Sequence, residues 1–264
     1  MVVVLHHLTA ALYLVAGVGA AAGLALSHSR LTRLSVGVLA LGAVAHGIGF
    51  SMLHTVDPTP ALTDPASAVS FMAWIGTLAF LLLLLRARLA GLVVLVAPMA
   101  FLGVFFASLR LPAAAAGSAD ASGSVPHAHV LLASAGLSLL GLAGLAGVLF
   151  LLEHRRLKRK RALGSGPDLP SLEALDRANA LALAVGFPLL TLGVITGALW
   201  VHSVHGSPWP GSLHETLSLL AWGVYVVLVA QRFGAHQGAR QCAASAIGGF
   251  AFLFLAVVGV GLFA

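Results

Sequence analysis

Eight long apolar runs, separated by short polar stretches, dominate this sequence. They lie at about 4–26, 34–53, 68–85, 89–109, 128–152, 180–201, 215–231 and 243–263. Each is close to the roughly 20 residues that a helix needs to cross a bilayer. Inside lipid the backbone must satisfy its own hydrogen bonds, so runs of this kind fold as helices. They are too long and continuous for barrel strands of about ten alternating residues. Only 8% of residues are charged, against roughly 25% in a soluble domain. That excludes a cytosolic enzyme, a secreted disulfide scaffold and a disordered tail. The sequence predicts an all-α polytopic integral membrane helix bundle, a single transmembrane domain over 1–264. The first run has no basic residue before it and reads as a retained span.

Lysine and arginine set the expected orientation. Arg30 and Arg33 follow span one, and Arg86 and Arg88 follow span three. Arg155, Arg156, Lys158, Arg159, Lys160 and Arg161 follow span five, and Arg177 precedes span six. Arg232 and Arg240 lie between spans seven and eight. Only Arg110 falls in an even-numbered loop. By the positive-inside rule the odd loops are cytoplasmic and both termini are outside. The net charge of +6 is therefore a topology signal, and nucleic acid is not expected as a partner. The single cysteine, Cys242, rules out an internal disulfide and a haem-attachment motif of two cysteines.

Within the longest inner loop, 153–179, GSGPDLP is a turn-rich break, followed by Ser171 as a helix cap. A short interfacial helix over about 171–179 is expected to run into span six. Pro98 and Pro188 fall inside spans four and six, where they are expected to kink the helix. Gly141, Gly144 and Gly147 form a small-residue stripe on span five, read as close helix packing.

With this topology nine of the twelve histidines share the outer side: His6, His7, His46, His54, His127, His129, His202, His205 and His214. His28, His154 and His236 fall inside. Trp74, Trp200, Trp209 and Trp222 all sort to the outer side too. An interfacial aromatic belt has two sides, so an outer pocket and a belt are both open readings. His6, His7, His54 and His127 read as solvated. His46 lies about eight residues below the outer end of span two, roughly 11 Å deep at 1.5 Å per residue. An ionisable group at that depth is a functional candidate. Gly47 and Gly49 beside it leave room for something flat and bulky. His129 opens span five and His202 closes span six. Imidazole among tryptophans and glycines suits an axial haem ligand, or a soft metal such as copper or zinc. The outer acids, Asp57, Asp64, Asp120 and Glu215, are few, and an apolar aromatic setting favours a large hydrophobic ligand. Trp209 is expected to cover an apolar pocket with Trp200 and Trp222. No catalytic motif stands out, so an assembly factor is expected more than an enzyme. A carboxylate relay through the membrane is absent, against a proton-coupled transporter.

The segments HAHVLLASAGLSLL, LFLLEHRRLKRK and LPSLEALDRANALALAVGFPLLTLGVITGALWVHS are followed by HETLSLLAWGVYVVLVAQRFGAHQGAR. In order and spacing they resemble the cytochrome c assembly family of membrane proteins, especially its smaller, eight-span HemX-like and YpjD-like members, related to CcsA and CcmC. VAHGIGF in span two resembles the family's span with a buried histidine. The resemblance implies a haem-handling protein of the prokaryotic plasma membrane, binding haem b at its outer face. It also implies apocytochrome c and another membrane assembly subunit as partners. It points to His129 and His46 as iron ligands, and to His202, His205, His214, Trp200, Trp209, Glu215 and Trp222 around the haem, within an outer loop 202–214. The family's Trp-Asp pair and loop lysine are missing, and His214 stands where the lysine would be. The span histidine before the arginine of span seven is replaced around Ala230 and Gln231. Two other readings stay open: a HemX-like accessory or regulator of tetrapyrrole metabolism, and a small-molecule transporter or structural membrane subunit.

Overall fold

The computed structural model describes residues 2–53, 55, 62–110, 124–159, 169–209, 211–235 and 237–263. His54, His236, Asp57, Asp120, most of the outer loop 110–127 and most of GSGPDLP lie outside the described residues.

Among the described residues, eight helices are long and apolar enough to cross a membrane. They are α1 (Val2–Ala25), α2 (Ser29–Leu53), α3 (Pro65–Leu84), α4 (Val93–Arg110), α5 (Ser124–Lys158), α6 (Leu172–His205), α7 (Leu213–Val229) and α8 (Ala239–Phe263). No strand occurs among the described residues. Helix ends follow local chemistry more than hydropathy. The Asp64 carboxylate accepts from the backbone N–H groups of Ala66 and Ser67, at 3.0 and 3.1 Å, with Pro65 opening α3. Ser171 caps α6 by accepting from Ala174 N–H, and Gly206 ends it at φ 71°. A capping box starts α7: Ser212 Oγ accepts from Glu215 N–H, and Glu215 Oε2 accepts from Ser212 N–H. The segment from Ser171 runs into span six as expected, as the first turns of one continuous helix, α6. Leu175, Ala178 and Asn179 on it are buried against other helices. Pro98 and Pro188 lie within α4 and α6.

Two groups of helices pack side by side. In the first, α1 packs on α2 and α4, and α3 on α4; in the second, α5 packs on α6 and α8. The α3–α5 contact joins them, and α7 lies at the edge with only Ala221 and Tyr225 buried. Small residues set the closest approaches. A side chain at Gly136 would come within 2.5 Å of Leu190 N on α6. Gly141 and Gly144 face Phe250, and Gly147 faces Ala243, so the glycine stripe of α5 is the packing surface for α8. At the N-terminal end of α6 and the C-terminal end of α7, Arg232 donates two hydrogen bonds to the Asp176 carboxylate, at 2.7 and 3.0 Å. Arg232 sits in a single π-helical turn, Ala230–Gly234, that extends α7.

Candidate functional site where α5, α6 and α7 meet

His129 lies in the second turn of α5, half-buried against α6. Its Nδ1–H donates to the backbone carbonyl of Gly193 at 2.8 Å. A carbonyl oxygen accepts only, so this contact puts the proton on Nδ1 and leaves the lone pair on Nε2. Nε2 has no hydrogen-bond partner among the described residues. A backbone carbonyl holding one imidazole N–H, with the lone pair of the other nitrogen available, is the arrangement that orients histidine towards a metal. The ring is seated on Gly197, where an added side chain would meet Cε1 and Nδ1 at 2.8 Å. Gly193 lets α5 come close at Ala133. Trp200, one turn beyond Gly197, has its ring centre 6.2 Å from that of His129. His214, in the first turn of α7, is within electrostatic range of His129.

The other sequence-predicted residues divide clearly. Glu215 is the cap of α7, its carboxylate held by Gly211 and Ser212 N–H groups. Trp222 donates from Nε1 to Thr191 Oγ1 at 3.1 Å and stacks near Phe187, tying α7 to α6. His202 and His205 are exposed in the last turn of α6. Trp209 is 42% exposed in the loop 206–212. The expected lid over Trp200 and Trp222 is therefore not formed by Trp209.

His46 is placed elsewhere, in the first helix group, buried among α1, α2 and α3. In the tautomer that satisfies both of its contacts, Tyr13 O–H donates to Nδ1 (3.3 Å) and Nε2–H donates to Ser70 Oγ (2.9 Å). The space beside Gly47 is filled by the Trp74 indole, whose Nε1–H donates to Ala43 O at 2.9 Å. The space beside Gly49 faces Leu5 and His6. The flat, bulky group admitted by these glycines is thus the protein's own aromatic core. The structure does not bring His46 to His129. His6, read from sequence as solvated, is 1% exposed and meets His46 edge to face, ring centres 5.9 Å apart. Its signal was present in the stripe His6, Tyr13, Ala16, Ala20 at helical spacing, all buried.

Fold and site together define a polytopic helical membrane protein with an imidazole–tryptophan site at one end of its second helix group. A family model described as cytochrome C assembly protein matches residues 62–264. The cytochrome c biogenesis protein CcsA of Prochlorococcus marinus strain MIT 9303 is 31% identical over 229 residues, covering 74% of this chain and 70% of the relative. CcsA of Synechococcus sp. strain RCC307 is 30% identical over 190 residues, covering 62% and 61%. The chain belongs to the cytochrome c assembly protein family, and it is an integral membrane protein.

Proposed function

We propose that this chain holds haem at the outer face of a prokaryotic plasma membrane and serves cytochrome c assembly there. The observation that carries this reading is His129: Nδ1–H fixed on Gly193 O, Nε2 without a partner among the described residues, and the ring seated on Gly197. These features fit haem as cargo. His129 Nε2 takes the iron, and His214 offers the second imidazole. Trp200 offers an aromatic wall to the macrocycle. His46 is not required, because both of its nitrogens are already engaged within the first helix group. The charge pattern favours this end of the bundle lying outside, where an apocytochrome c would meet it, and Trp209, His202 and His205 are exposed there. Haem held in this way supplies the iron and vinyl chemistry for attachment to the apocytochrome; the chain binds, orients and shields it.

Deleting the gene is expected to remove covalent haem from c-type cytochromes while total cellular haem stays normal. Haem staining of membrane proteins after denaturing electrophoresis, beside pyridine haemochrome quantitation, reads both. Cytochromes that keep their covalent haem in the deletion strain would overturn the proposal.

A further inference from the structure

The first helix group holds a second imidazole cluster that the haem reading does not use. His6 Nδ1–H donates to Val2 O at 3.0 Å, so its lone pair lies on Nε2. That nitrogen is buried and has no partner among the described residues. It repeats the anchoring seen at His129, one nitrogen on a backbone carbonyl and the other free. Thr9, one turn further along α1 and 0% exposed, also has an unpartnered hydroxyl. Thr9 therefore lies between His6 and Tyr13 on α1, and both of those rings contact His46. His46 spans the gap between α3 and α1. Its Nε2 is held by Ser70 of α3, so its Nδ1 faces α1, the helix that carries His6 and Thr9, at Tyr13.

We propose that His6 Nε2 and His46 Nδ1, with Thr9 Oγ1 beside them, bind a single cuprous ion. Two imidazoles on one ion, at about 2 Å per bond, have ring centres roughly 5–6 Å apart. The His6–His46 separation of 5.9 Å falls in that range. The donors are neutral, and the surrounding rings of Phe50 and Trp74 are apolar or aromatic. No group of three or more His, Cys, Asp or Glu gathers around an ion site among the described residues. The cost of burying an ion rises with the square of its charge, so such a site favours a monovalent soft ion over a divalent one. Neutral imidazole is a good ligand for copper. Tyr13 gives up His46 Nδ1 when the ion binds. The packed rings leave no room for a macrocycle, so this site and the haem site are separate.

The test is anaerobic titration of the purified full chain with Cu⁺ against the chromogenic chelator bicinchoninate. The chain is expected to hold about one Cu⁺, and His6→Gln and His46→Gln are each expected to weaken it by at least about tenfold. His7→Ala, an exposed neighbour, and His129→Ala are expected to leave it unchanged. X-ray absorption of the loaded wild-type chain should show two imidazole nitrogens on copper, whichever variants fold. Failure of the wild type to hold Cu⁺, undiminished binding by both glutamine variants, or displacement of Cu⁺ by equimolar Zn²⁺ would overturn the proposal. None of these outcomes bears on haem at His129.

Discussion

Gly136→Leu is expected to unfold the chain or to dismantle the His129 seat. The missing side chain is what lets α5 and α6 touch: an added Cβ would lie 2.5 Å from Leu190 N and 2.9 Å from Leu190 Cα. Those are backbone atoms, so no rotamer change relieves the clash and the helices must separate. Gly186 faces the same contact, where an added Cβ would be 3.2 Å from Gly136 O. Overpacking of this kind costs about 3 kcal/mol, and more where backbone must move. His129 sits two turns along α5 from Gly136, so separation also draws it away from Gly193. Thermal unfolding in detergent is the measurement. Gly223→Ala on α7, where nothing lies within 4 Å, is the contrast. It is expected to be neutral or to stabilise by up to about 1 kcal/mol, because alanine is the better helix former.

Asp176→Ala has the next largest expected effect. Arg232 is bound bidentately by Asp176, and their side chains are only 14% and 30% exposed. Removing one partner from a buried pair leaves an uncompensated charge and costs about 3–5 kcal/mol. The partial exposure of this pair lowers that to about 2 kcal/mol. The pair is one of few ties on α7, which buries little else. The double variant Asp176→Ala with Arg232→Met removes the stranded charge and is expected to recover most of the loss. A double variant no more stable than Asp176→Ala alone would show that the charge is not the cause.

The spans were legible because a bilayer imposes one length on every crossing. Their ends were less so. Span five was expected at 128–152, but α5 runs on to Lys158, whereas the Ser171 cap had already put the start of α6 ahead of the apolar run at 180–201. Hydropathy marks the lipid thickness, whereas a helix stops where its caps stop it, here at Ser171 and Gly206. The glycine stripe on α5 was legible as packing because small residues at helical spacing have one common use between helices.

The candidate site was legible in part. His129 and Trp200 stood out by position, but the seat formed by Gly193 and Gly197 did not, since its meaning depends on which helix lies opposite. His46 was recognised as buried, yet its partners are His6, Tyr13, Ser70 and Trp74 on neighbouring helices, and no single-helix pattern reveals them. His6 was misread for a related reason. On a helix that is apolar all round, the buried stripe has almost no contrast with the lipid-facing one, so a histidine near the end looks like a surface residue. Trp209 was expected to pack because tryptophan is costly in water. The Ser212–Glu215 box instead fixes a short turn that leaves its ring exposed.

The central claim is that His129 presents Nε2 to haem iron, and the absorption spectrum of the chain purified with haem supplied tests it most directly. The wild type should show a Soret band. His129→Ala should lose or shift that band, while His28→Ala, on the opposite side by the charge pattern, should leave it unchanged. A Soret band of the same position and intensity in His129→Ala and the wild type would contradict the account.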